Sequence, residues 1–190
     1  MSHKALLFSA PSGSGKTTII REILKRFDCF EFSISATSRF PREGEKDGVD
    51  YYFLSPEEFE KRVNQGDFLE WEEVYQGTRY GTLKSEIERI SNRGHIIIFD
   101  VDVKGGMNIK RYFGADALAL FVMPPSIEVL EQRLRNRGTE TEEAIAKRLA
   151  RSVEELKESV HFDKTIINDD LSRAVEETRQ LIEQFIGEQN

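Results

Sequence analysis

The chain has one cysteine, Cys29, in 190 residues, so no intramolecular disulfide can form and a reducing compartment is expected. Histidines are scarce as well. His3, His95 and His161 are scattered and lack cysteine neighbours at ligand spacing, which argues against a zinc site. No apolar run approaches bilayer-spanning length, and the sequence enters a strand near its start with no signal-peptide pattern. A cytoplasmic protein with no membrane partner is therefore expected. Basic residues are outnumbered, 27 to 34 acidic, giving a formal net charge of −7. That balance lacks the basic footprint of a nucleic-acid binder. Internal repeats and low-complexity segments are missing too. The length suits one domain, or a core carrying small inserted lobes.

What is present begins with Ala10-Pro11-Ser12-Gly13-Ser14-Gly15-Lys16-Thr17-Thr18. The segment follows an apolar run, Ala5–Ser9, and precedes a helix-patterned one ending near Phe27. Strand, glycine-rich turn, lysine, hydroxyl and helix in that order make a phosphate-binding loop. Gly13 and Gly15 let backbone N–H groups close around phosphate oxygens, and the helix adds its positive end. Lys16 would reach the β/γ-phosphates and the Thr17 hydroxyl would sit on Mg²⁺. Ala10 stands where the general pattern has glycine.

Five β-type runs are predicted: Ala5–Ser9, Phe30–Ser35, His95–Val101, Ala117–Met123 and Lys164–Asn168. Several alternate with helical patterns, which implies an α/β fold with a parallel, doubly wound sheet. The stretch 33–85 reads as an inserted, mostly β lobe holding one helix over 56–64 with Ser55 as N-cap. Residues 126–152 read as a helical hairpin, broken at Gly138, with Thr139 and Glu142 as a capping box. It is rich in arginine, with Arg133, Arg135, Arg137, Arg148 and Arg151. The remaining core comprises 1–32, 86–125 and 153–190. The loops near Ser33 and Ser85 and Gly138 are candidate hinges.

A second constellation lies in the inserted lobe. Arg39 and Arg42 flank Pro41, where a turn could aim both guanidinium groups at one anion. Tyr51 and Tyr80 can donate to the same phosphate, although half-buried packing is the other reading of both. Glu70 sits among aromatics, with Phe68 and Trp71 assigned to the lobe core. Asp100 and Asp102 end the central strand at its carboxyl end, where ligands bind in α/β sheets. They alternate across the strand, so one role for both is not required.

These motifs resemble guanylate kinases along almost the whole chain. The resemblance rests on APSGSGKTT, S-x-x-x-R-x-x-R from Ser35 to Arg42, GVDYYF from Gly48, FLEW from Phe68, YGT from Tyr80, FDVDVKG from Phe99, RLRNRGTETEE with KRL from Arg133, and INDD from Ile167. Ser38 departs from a more usual threonine. The resemblance implies a P-loop nucleoside-monophosphate-kinase fold, with a five-stranded parallel sheet, a GMP-binding lobe and a lid. It implies ATP and Mg²⁺, GMP as small-molecule acceptor, and allows homo-oligomers. Arg39, Arg42, Tyr51 and Tyr80 would then hold the GMP phosphate. Ser35, Glu70, Thr82 and Asp102 would read guanine. Residues 10–18 would cradle ATP phosphates, with Asn168 near adenine. Arg137 and Arg148, beside Arg133, would close from the lid, and Lys16, Arg39, Arg137 and Arg148 would carry transfer. Asp100 would join Thr17 at the metal. Arg135, on the other helix face, would be a solvated charge. A kinase reading another base and a partner-binding domain without catalysis share parts of this pattern.

Overall fold

The structure, a computed structural model, describes residues 4–75, 77–136 and 141–187. In chain order its elements are β1 (Ala5–Ser9), α1 (Lys16–Leu24), β2 (Phe30–Phe32), β3 (Ala36–Thr37), β4 (Tyr52–Phe53) and α2 (Pro56–Gln65). There follow β5 (Phe68–Tyr75), β6 (Thr78–Leu83), α3 (Lys84–Ser91), β7 (Ile96–Asp100), α4 (Val103–Phe113) and β8 (Ala117–Met123). The last are α5 (Ile127–Arg135), α6 (Glu142–Lys157), β9 (Lys164–Ile167) and α7 (Leu171–Gly187), with short 3-10 turns at Gly114–Asp116 and Glu158–His161.

The core sheet is parallel in the order β2-β7-β1-β8-β9. β1 is central and buried throughout, and its side chains alternate between two apolar layers. Leu6 and Phe8 pack with Ile19, Ile20 and Ile23 of α1 and Ala174, Val175 and Ile182 of α7. Ala5 and Leu7 pack on the other side with Ile87 and Ile90 of α3 and Ile109 and Phe113 of α4. Helices therefore cover both faces of a parallel sheet, as the alternation of runs predicts. β7 begins at Ile96, one residue later than expected, where the His95 ring instead faces Glu31, 3.1 Å away.

The segment 33–85 forms a second sheet, in the order β4-β3-β6-β5. Its own small core holds Ala36, Phe59, Phe68 and Leu83, with Phe59 stacked on Phe68 at 4.5 Å between centroids. Ser55 caps α2, its hydroxyl accepting from Glu58 N–H at 3.1 Å, as expected. Trp71 departs from expectation. It lies at the rim of the lobe core, 39% exposed, meeting Phe59 edge-on at 6.4 Å between centroids and carrying the Arg79 guanidinium 5.4 Å from its own centroid.

In the arginine-rich hairpin, Ser126 caps α5 through Val129 N–H at 3.3 Å. The cap of α6 is Thr141, which accepts from Ala144 N–H at 3.3 Å, and Glu142 is its first helical residue. The expected Thr139–Glu142 box is thus corrected: a box partner must lie three positions into the helix, and Glu142 lies at the first. Arg137, Gly138 and Thr139 lie outside the described residues. α6 continues past residue 152 to Lys157.

Candidate active site

The turn after β1 is set by two glycines in the left-handed region, Gly13 at φ 98° and Gly15 at φ 91°. Thr18 and Ile19 N–H donate to Gly15 O at 3.1 and 3.2 Å, which starts α1 there. The loop is braced from below. Asn168, 6% exposed, donates its side-chain amide to Ser14 O at 2.7 Å. Arg133 donates to Asn168 O at 2.9 Å and, at longer range, to Ser14 O at 3.5 Å. A Cβ on Gly15 would stand 2.2 Å from the Asn168 amide nitrogen. Neither Asn168 nor Arg133 lines the cavity above the loop.

That cavity, about 480 Å³, is lined by every residue of 10–18 and by Ser35, Tyr51, Glu70, Tyr80, Asp100, Asp102 and Arg148. Most of the residues that sequence reasoning singled out therefore meet in one place, at the carboxyl ends of β1 and β7. Lys16 spans it. Its ammonium lies 2.5 Å from Asp100 and donates to Val101 O at 3.1 Å. These two contacts leave its side chain 17% exposed. The two aspartates separate: Asp102 caps α4 through Gly105 N–H at 2.8 Å and lies 4.0 Å from Arg151.

The opposite wall comes from the inserted lobe. Glu70, Glu72 and Val74 project from alternate positions of β5. Glu70 is buried and accepts from the Thr82 hydroxyl at 2.7 Å across the β5–β6 pair. Burial pushes its carboxyl up to about 7, and the neighbouring Asp102 charge adds to the rise against the Thr82 hydrogen bond. Gly105 forms the floor here, where a Cβ would lie 3.1 Å from Glu70 Oε2 and 3.2 Å from Asp102 Oδ1.

Arg39 lies just behind Tyr51 and Tyr80. Its guanidinium stands 4.9 Å from the Tyr51 ring centroid and donates to the Tyr80 hydroxyl at 3.2 Å. It makes a fork with Glu45, at 2.6 and 2.7 Å. Glu45 also accepts from Arg42 N–H at 2.7 Å, and the Arg39 contact above all holds its carboxyl down to about 2. The Arg42 residue itself is exposed and stands outside the cavity lining. Arg135 is exposed on α5 and pairs with Glu131 at 2.8 Å and Glu142 at 2.5 Å.

Sequence reasoning missed Glu45 and Gly105, and it gave Arg151 no role. Gly105 lies inside the FDVDVKG motif and could have been taken from it. Glu45 carries no signal, since its partner is chosen by the turn.

The guanylate kinase family model matches residues 2–185. The chain belongs to the guanylate kinase family. It is accordingly a nucleotide-binding kinase of that family. A guanylate kinase of Bacteroides fragilis is 52% identical over 184 residues, 97% of this chain and 90% of that one. One from Salinibacter ruber is 50% identical over 182 residues, 96% of each chain. Among solved structures, a guanylate kinase from Anaplasma phagocytophilum superposes with a TM-score of 0.73 at 26% identity, over 95% of this chain and 85% of that one.

Proposed function

We propose that the protein transfers the γ-phosphoryl group of ATP to GMP, giving ADP and GDP. The observation that carries this reading is the single cavity with the phosphate loop on one wall and Glu70, Ser35, Tyr51 and Tyr80 on the other. In-line transfer needs both nucleotides in one space.

On the loop side, backbone N–H groups of 10–18 hold the ATP phosphates, and Lys16 exchanges Asp100 for phosphate oxygen. Asn168 and Arg133 fix the loop from below. On the lobe side, ionised Glu70 accepts from guanine N1–H and the 2-amino group, two parallel bonds that adenine cannot supply. Thr82, Ser35 and Asp102 complete the base contacts, and Arg39, Arg42, Tyr51 and Tyr80 hold the GMP phosphate. Arg137 and Arg148 add positive charge from the lid, 126–152, as it folds with the lobe, 33–85, over the core, 1–32, 86–125 and 153–190. Closure also keeps water from the transferring group. No dedicated base is needed, because the GMP phosphate is already ionised.

Thr17 and Asp100 both line the cavity beside the loop, a hydroxyl and a carboxylate. That donor set fits Mg²⁺, which takes one or two protein oxygens and completes its shell with water and phosphate. When bound there, the ion neutralises charge on the β- and γ-phosphates. The substrates and the free thiol of Cys29 suit work in the cytoplasm.

The test is ADP formation from ATP with GMP, AMP, UMP and CMP supplied in turn. GMP should be strongly preferred. Equal rates with AMP would refute the assignment of Glu70 and with it the acceptor.

A further inference from the structure

One buried carboxylate takes no part in the reading above. Glu86, in the first turn of α3, is 1% exposed, which is unusual for a glutamate. Both its oxygens are saturated. Oε2 accepts from Ile34 N–H at 2.8 Å and from Arg89 Nη2 at 2.8 Å. Oε1 accepts from the Tyr52 hydroxyl at 2.8 Å and from Arg89 Nε at 2.7 Å. Arg89 reaches onward to Glu31 of β2 and donates to Phe32 O at 3.3 Å. Burial opposes the charge, but Arg89 and the other two donors outweigh it and hold the carboxyl below its ordinary range.

Where those donors sit is the point. Ile34 lies on the crossing from β2 of the core to β3 of the lobe, one residue before Ser35. Tyr52 opens β4, one residue after Tyr51. Tyr52 N–H donates to Ser35 O at 2.9 Å, which ties the two together. Ser35 and Tyr51 both line the cavity. α3 follows β6 directly, on the other crossing between lobe and core. Tyr51 and Tyr52 are successive residues at the start of a strand, so one turns to the cavity while the other turns to Glu86. A carboxylate needing only charge compensation would be served by Arg89 alone. This one also grips the immediate neighbours of two cavity residues.

We propose that Glu86 is a positioning residue for the acceptor nucleotide, holding Ser35 and Tyr51 in place through Ile34 N–H and the Tyr52 hydroxyl without itself touching substrate. This rests on the reading of the lobe as the GMP side.

The test is steady-state kinetics of Tyr52→Phe, Glu86→Gln and the double variant, with GMP and ATP varied separately. Tyr52→Phe keeps the ring and removes one bond to Glu86. A loosened acceptor should raise the KM for GMP by about tenfold, since displacements of an ångström carry penalties of that order or more. The KM for ATP should stay within about twofold, and kcat should fall less than the KM for GMP rises. A purely structural role would reduce the folded fraction, hence Vmax and Tm, and leave the KM for GMP alone. The double variant should raise the KM for GMP by less than the product of the two single effects, because both act on one hydrogen-bond network. Should Glu86→Gln fail to fold, Tyr52→Phe decides alone, since it keeps the Glu86–Arg89 pair. An unchanged KM for GMP in Tyr52→Phe, with an active wild type, overturns the inference and leaves the functional reading standing. A wild type inactive on GMP overturns both.

Discussion

GMP binding should depend on pH through Glu70. The free carboxyl titrates near 7, because burial disfavours its charged form and Asp102 adds to that. Guanine offers two donors, so it binds the ionised form and releases the proton. Only the ionised fraction is competent, and apparent affinity scales with that fraction. It should therefore weaken about tenfold from pH 8 to pH 6, and change little above pH 8. Calorimetry in buffers of different ionisation enthalpy counts the proton directly. About 0.9 proton per GMP should leave Glu70 at pH 6, and about 0.1 at pH 8. The GMP phosphate also titrates near pH 6, so Glu70→Gln supplies the baseline to subtract. The same shift has a stability consequence of opposite use. A folded value above the ordinary 4.5 means stability that is present below about 4.5 and lost as pH rises through about 7. That gap corresponds to about 3 kcal/mol at most. Glu70→Gln should thus gain thermal stability over wild type at pH 8, and the gain should vanish towards pH 4.5. Affinity flat from pH 6 to 8, with no excess proton release over Glu70→Gln, would refute the argument.

Lys16→Ala should lower kcat by several orders of magnitude while the protein stays folded, since charge on the transferring group grows towards the transition state; retention of more than about a tenth of kcat, only about 1.4 kcal/mol of barrier, would remove the assigned role. The same variant leaves Asp100 without its 2.5 Å partner, so a modest fall in Tm should accompany it. Gly15→Ala should weaken ATP binding and lower Tm together, because the methyl meets the Asn168 amide at 2.2 Å and alanine must adopt φ 91°; normal ATP affinity by titration would show the brace to be dispensable. Arg148→Ala should reduce kcat more than it weakens GMP binding, whereas Arg135→Ala, at an exposed pair, should be nearly silent in the same assay; equal damage from both would make the hairpin a diffuse basic surface.

What the sequence made legible was local. The loop at 10–18 could be read because its glycines, lysine and hydroxyl act through adjacent backbone. The five core strands could be read because a doubly covered sheet demands near-continuous apolar runs, and Ser55 because a cap acts within one turn. What stayed hidden depends on partners distant in sequence. Nothing near Glu86 announces that its carboxylate will meet Ile34 and Tyr52, 52 and 34 residues away. Glu45 hides for another reason: it lies close to Arg39, but only the turn over Glu43 and Gly44, closed by Glu45 N–H on Arg42 O at 3.1 Å, decides which arginine it takes. Trp71 misleads only in degree: the irregularity of β5 between Phe68 and Glu70 leaves both aromatics against Phe59, with Phe68 inside and Trp71 at the rim.

Lys16, which lines the cavity, and Arg39, just behind it, are each already matched with a carboxylate of the same chain, Asp100 and Glu45. On the proposed reading, substrate binding is an exchange of partners at these two residues and not capture by a bare positive patch. With a formal net charge of −7, the molecule's distant field repels a nucleotide more than it draws one in. Encounter should accordingly speed up slightly with added salt, opposite to an enzyme that steers its anions. Selectivity also gains. A small dianion such as inorganic phosphate must break the same internal pairs and has no purine with which to offset them, so it should compete weakly at either end of the cavity.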